Sequence, residues 1–164
     1  MYQFSIKSEC LVKHYGEIHQ GAVEGLNFTS NDLFLFSFGN DRMLKRLYKG
    51  KNLDIESMYE EEESYGEFRE NFAISCMKVS RNDQFLFIAS LDGVLKQWSI
   101  MGENVVRDFG RIHRFTINCM LVSSGDEVLW TGGGDEQVKM FDVSTGELLN
   151  DFGMVHIDWV NAMT

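Results

Sequence analysis

Apolar and polar positions alternate along this chain in runs too short for helices. Residues 33–39 (LFLFSFG), 84–90 (QFLFIAS) and 128–133 (VLWTGG) are rich in aromatic and β-branched side chains and bounded by Asn, Asp, Gly and Ser. That is the composition of short strands closed by turns. The pairs Asn31-Asp32, Asn82-Asp83 and Gly125-Asp126 occupy one common turn position before these runs, where Asn and Gly tolerate a left-handed backbone. No segment carries a sustained apolar stripe with the helical period of about 3.6 residues. The pattern predicts an all-β chain with four strands to a unit, in one unit at 73–79, 85–90, 94–100 and 104–109.

The units repeat. DGVLKQW at 92–98 returns 43 positions later as DEQVKMF at 135–141, and it stands 51 positions after DRMLKRL at 41–47. ISCMKVS at 74–80 and INCMLVS at 117–123 keep the same register, with VEGLNFT at 23–29 a weaker copy. GEIH, GRIH and GMVH place His19, His113 and His156 four residues before Val23, Ile117 and Val160. In three units, 18 residues separate the first apolar residue of this segment from the Asp. The eight extra residues of the longer interval (51 against 43) fall around SMYEEEESYG at 57–66. Like charges along one short segment disfavour a helix there. A solvated loop is the expectation, a charged docking finger the alternative.

This period, with Gly-x-x-His (Gly16 and His19, Gly110 and His113, Gly153 and His156) and Asp-x-x-aliphatic-Lys-x-aromatic, resembles the WD-repeat (WD40) β-propeller family over essentially the whole chain. There are departures. The family's closing Trp survives as Trp98, against Phe141, Leu47 and Phe4 elsewhere; the Asp that follows it survives as Asp142; Glu70 stands where the second unit should carry its His. The resemblance implies a partial propeller of four-stranded antiparallel blades. The end of one blade falls at 1–15 and complete blades at 19–58, 70–109 and 113–152. An acidic insertion and linker takes 59–69, and the first strand of a further blade 156–164. A closed ring takes about four to eight blades. Three blades with ragged ends therefore imply a fragment of a larger propeller, a truncated product, or a chain completed by further blades or by another chain.

The resemblance also implies a structural hydrogen-bond set joining a His, a hydroxyl, an Asp and a Trp in each blade. The first unit offers His19, Ser37 and Asp41, the third His113, Thr131 and Asp135. The second has Asp92 and Trp98, but Glu70 and Ile88 in the other two places. Asp92 is therefore expected to cap its own turn beside Gly93.

Composition narrows the rest. A length of 164 residues fits one domain. Lys+Arg 15 against Asp+Glu 25 gives a net charge of -10, which opposes a grip on phosphates, so no nucleic-acid partner is expected. No run of about 18 apolar residues predicts a membrane span, and MYQFSIKSEC lacks the basic and apolar regions of a secretory signal. Cys10, Cys76 and Cys119 are an odd set without CxxC spacing, which indicates neither a disulfide framework nor a zinc site. A reducing compartment follows, the cytoplasm with the nucleus as alternative. Cys76 and Cys119 share one inner-strand position and are expected as small apolar packing. With no Pro in the chain, Gly, Asn, Asp and Ser must make the turns.

A hydroxyl, a His and an Asp together invite comparison with a nucleophilic triad. Here the trio repeats from unit to unit without a Gly-x-Ser-x-Gly elbow, so no enzyme and no catalytic residue is expected. The repeated His residues would lie too far apart to share a metal, and GGGD at 132–135 lacks the Lys of a phosphate loop. No cofactor or metal is expected. The expectation is a non-enzymatic scaffold that binds protein or peptide partners on the propeller face. From the resemblance, the rim positions are Gln20, Asn71, Arg114, Asp158 and Trp159, with Asn40, Leu91 and Gly134 just before the repeated Asp. Arg114 and Trp159 stand first, because Arg and Trp are favoured as interface anchors. The alternatives are a regulatory or substrate-recognition segment of a kinase or ubiquitin-ligase assembly, and a structural subunit of a coat or cytoskeletal complex.

Overall fold

The computed structural model describes residues 2–4, 11–14, 17–48, 66–69 and 73–163. Among them are fourteen strands and no helix. β1 (Tyr2–Phe4) and β2 (Leu11–His14) form an antiparallel hairpin. Three four-stranded meanders follow. The first blade holds β3 (Val23–Phe28), β4 (Phe34–Gly39), β5 (Met43–Tyr48) and β6 (Gly66–Arg69). The second holds β7 (Ile74–Val79), β8 (Phe85–Ser90), β9 (Val94–Ser99) and β10 (Asn104–Arg111). The third holds β11 (Ile117–Val122), β12 (Val128–Gly133), β13 (Gln137–Asp142) and β14 (Leu148–Met154). The inner strands β3, β7 and β11 lie side by side, as blades around a common axis require.

Two boundaries differ from the sequence expectation. The first blade closes with β6, paired from Met43↔Arg69 to Arg46↔Gly66, so 66–69 belongs to the blade rather than to the insertion and linker expected at 59–69. A strand is defined by its ladder partner, and GEFR is too short to announce itself by periodicity. The acidic run before it, together with Glu70 and Asn71, lies outside the described residues. At the other end, residues 156–163 pair with no strand, where the first strand of a further blade was expected. A single residue, Val160, is buried there, and its N–H donates to the Gly133 carbonyl at 3.2 Å.

Burial follows position in the blade. β4 and β8 are buried along nearly their whole length, because each is covered on both faces, which a continuous apolar run such as FLFIAS suits. One core lies between the first two blades, with Phe36 and Phe38 against Ile74, Leu86 and Trp98. The Phe36 and Trp98 rings meet edge to face, centroids 6.0 Å apart at 83°. A second core joins Phe87, Ala89 and Leu95 to Ile117, Met120 and Leu129 across the next gap.

Each inner strand also bulges at the same place. The register slips between Val23 and Gly25, Ile74 and Cys76, and Ile117 and Cys119. A bulge re-aims the extra residue, and Glu24, Ser75 and Asn118 line one hollow of about 500 Å³.

The turns that join the first two strands of each blade supply a contact between blades. Asp32, Asp83 and Asp126 take left-handed backbones, φ 58°, 57° and 58°. The strained residue is thus the Asp and not, as expected, the Asn or Gly before it. The Asp83 carboxylate accepts from the Ser30 amide (2.6 Å), the Ser30 hydroxyl (2.7 Å) and the Asn31 amide (3.2 Å) of the preceding blade. The Asp126 carboxylate accepts from the Arg81 and Asn82 amides at 2.7 and 2.8 Å.

Candidate functional site

The rim of the blades is held by two copies of one polar arrangement. In the third blade His113 Nδ1 lies 2.8 Å from Asp135, and Nε2 lies 2.9 Å from the Thr131 hydroxyl. The second Asp135 oxygen accepts the Arg114 amide at 2.9 Å. In the first blade the distances are 2.9 Å from His19 to Asp41, 2.9 Å to Ser37, and 3.0 Å from the Gln20 amide to Asp41. The carboxylate therefore ties down the residue immediately after each His, which fixes the backbone of Gln20 and Arg114 while their side chains stay exposed. Burial pushes the Asp135 carboxyl up, but the Arg114 amide and the His113 ring outweigh it and hold the group below the ordinary value of 3.8. At Asp41 burial is outweighed likewise, by His19 and by the Met43 and Gln20 amides. Burial lowers His113 below 6.5 against the raising pull of Asp135. The neutral ring donates from Nδ1 to Asp135 and accepts at Nε2 from Thr131.

These trios have the connectivity of a nucleophilic triad but not its access. Ser37 and Thr131 are fully buried, so no substrate carbonyl can approach either hydroxyl. The second blade is arranged differently. The Ser90 hydroxyl donates to Asp92 at 2.5 Å and lies 3.2 Å from the Val94 carbonyl, so the carboxylate is engaged within its own turn. Trp98 packs against Phe36 of the first blade rather than joining a polar set. Gly93 in this turn cannot be replaced freely: its φ is 84°, and a Cβ would lie 2.1 Å from the His113 carbonyl oxygen. The chain crosses there, with the Ile112 amide donating to Gly93 at 2.9 Å.

Around this frame the expected partner-binding positions divide. Asn40 and Leu91 are exposed and share the hollow of about 500 Å³ that the three bulged residues line. Arg114, Asp158 and Trp159 are exposed beside the third blade, with the Asp158 carboxylate accepting the Trp159 amide at 2.7 Å. Asn71 lies outside the described residues. Gly134 is buried rather than displayed. It floors a second hollow of about 240 Å³ whose walls are Phe115 and Trp159, 59% and 64% exposed. Thr116 and Asn118 line both hollows. Phe115 escaped the sequence reading; its signal is an aromatic two residues after His113, where the first unit has Gly21.

The inner-strand thiols are half-buried instead of fully packed away. Cys76 lies 3.5 Å from the Ile117 carbonyl and Cys119 3.6 Å from the Val160 carbonyl. Burial pushes the Cys76 thiol up to about 12. Among the described residues no group of three or more His, Cys, Asp or Glu side chains could hold a metal, and no helix is long and apolar enough to cross a membrane.

Comparison with known proteins agrees with this architecture. Residues 63–99 match the family model described as WD domain, G-beta repeat. No curated protein sequence matches the chain. Among solved structures, that of U3-55K, a WD-repeat propeller protein, superposes with a TM-score of 0.71 at 18% identity. The alignment covers 86% of this chain and 42% of that one, so the chain spans less than half the length of this structural relative. The fold is a partial β-propeller of four-stranded blades, with a WD-type repeat matched at residues 63–99.

Proposed function

We propose that this chain is a non-enzymatic interaction module that binds a protein or peptide across the rim carrying Arg114, Phe115 and Trp159. Propellers of WD repeats serve in general as protein-interaction scaffolds, and that general role is the background to the reading. The observation that carries it here is the pair of exposed rings, Phe115 and Trp159, standing over the backbone of Gly134. Aromatic anchors around a hollow, beside an Arg whose backbone is already fixed, are the usual makings of an interface hot spot. A reducing compartment, cytoplasm or nucleus, suits the unpaired thiols of Cys76 and Cys119. The net charge of -10 favours protein over nucleic-acid partners.

The test is selection of peptides on the folded protein, followed by titration monitored through tryptophan fluorescence. Trp159→Ala and Phe115→Ala should each weaken the selected peptides by about tenfold or more, with thermal stability unchanged. Peptides whose affinity is indifferent to both substitutions would show that binding lies elsewhere.

A further inference from the structure

The bulge on each inner strand sends one polar residue toward the axis that the blades share. Glu24, Ser75 and Asn118 hold that place in the first, second and third blades, and all three line the hollow of about 500 Å³. The second blade is packed against a neighbour on each side, so the placement belongs to the bulge itself. The three residues differ in what they leave free. The Ser75 hydroxyl donates to the Ile117 carbonyl at 2.6 Å, and the Asn118 amide donates to the Asn161 side chain at 3.2 Å. No donor reaches the Glu24 carboxylate among the described residues.

Among the described residues, Glu24 is also the charged side chain in the walls of the two rim hollows, and no cation lines either. The acids of the repeated turn are already engaged: Asp41 by the His19 ring and the Gln20 amide, Asp92 by Ser90, and Asp135 by the His113 ring and the Arg114 amide. The Asn40 carboxamide stands in the same wall as Glu24 and is likewise unpaired among the described residues. A free carboxylate beside a free carboxamide oxygen calls for a group that brings positive charge and several N–H donors. A hard metal ion is a poor match, because it takes more oxygen ligands than one carboxylate supplies. A guanidinium or an ammonium is a good one. Leu91, 51% exposed, adds an apolar wall along which an alkyl stem can lie while its charged head stays wet.

We propose that the axial hollow takes a basic side chain, Lys or Arg, of the bound peptide and pairs it with Glu24. The assignment rests on the reading of the rim as a peptide-binding surface and adds the chemistry that this surface selects. Thr116 and Asn118 line both hollows, so one extended peptide spans them. It places an apolar side chain between Phe115 and Trp159 and a basic one on Glu24, with the stem along Leu91. The net charge of -10 draws such a peptide in from a distance. At the site itself Glu24 fixes the direction of the chain and repels an acidic residue. A charge pair in a partly solvated hollow contributes more to selection than to tightness, so its mark is a preference and a salt dependence as well as an affinity.

Selection from a random peptide library on the 164-residue protein tests the assignment. The selected peptides should carry Lys or Arg close to an apolar residue. Their binding, followed by tryptophan fluorescence, should weaken about tenfold in Glu24→Gln, and equally when the basic residue is replaced by norleucine on the unaltered protein. The two changes together should cost little more than either alone, because they remove one contact. Affinity should fall between about 50 and 300 mM salt, and fall less in Glu24→Gln. Selection repeated on Glu24→Lys should return acidic residues at the same place. Peptides that need Phe115 and Trp159 but are indifferent to Glu24→Gln and to norleucine would overturn the assignment and leave the rim reading standing. Peptides that need Glu24 but neither ring would sink the rim reading, and with it the peptide that spans both hollows. A selection that yields no binder, or binders indifferent to all three residues, would overturn both.

Discussion

Asp135 satisfies donors from three parts of one blade: the His113 ring, the Arg114 amide and, at 3.4 Å, the Gln137 amide. Replacing it with Ala leaves those groups without an acceptor in a largely dry site, which costs about 1–3 kcal/mol. The loss would appear as a lower denaturant midpoint. The pair also sets a pH dependence. His113 and Asp135 both lie below their ordinary values in the folded protein, so on acidification the unfolded chain takes up protons more readily than the folded one. The stability this pair contributes is complete above the ordinary imidazole value of 6.5 and is lost as the pH falls, first through His113 and then, below 3.8, through Asp135. Unfolding measured from pH 7 to pH 4 should show this decline, with a shallower slope in His113→Gln. Equal slopes in the two proteins would exclude the assignment.

The turns between the first two strands carry a device of element scale. A non-Gly residue with positive φ is strained, yet three of these turns put Asp there. The physical return is visible at Asp83 and Asp126, whose carboxylates bind amides of the preceding blade. Each position therefore opposes backbone strain to charge-assisted hydrogen bonds. Asp126→Ala keeps the strain and loses the bonds, costing about 1–2 kcal/mol. Asp126→Gly loses the bonds but relieves the strain, so it should be less damaging. Thermal melts of the two variants check the order. If Gly proves worse than Ala, the backbone is not under strain there.

The whole molecule behaves as a short one-dimensional array in which each blade contacts its neighbours. The second blade has both faces covered, by the cores around Phe36–Trp98 and Phe87–Ile117, whereas the first and third each leave one face partly exposed. Amide hydrogen exchange should consequently be slowest in β7 to β9. Phe36→Ala removes a fully buried ring from the first of these interfaces, at a cost of about 3–5 kcal/mol. It should speed exchange in the first and second blades together while the third responds least. Loss of protection confined to the first blade would show that blades unfold independently.

Much of this was readable in the residues because it is written several times. The 43-position interval, the recurring Asp and the strand-like runs determine the all-β class and the four-stranded unit, and the family resemblance carried by the His four residues before β3 and β11 implies the partners of His19 and His113. A local hydrogen bond recurs wherever its residue types recur at fixed spacing. What repetition does not mark was decided by the fold. β6 exists because GEFR finds the edge of β5 across a variable insertion. Residues 156–163 form no strand and meet no ladder partner among the described residues. The contacts from Asp83 and Asp126 run to backbone amides 44 to 53 positions away, and amides have no sequence signature. Phe115 meets Trp159 only because two loops converge over Gly134. The sequence alone determined what each blade is, since that depends on neighbours along the chain and in the repeat. Tertiary structure decided which blade faces are covered, because burial belongs to surfaces that meet in space.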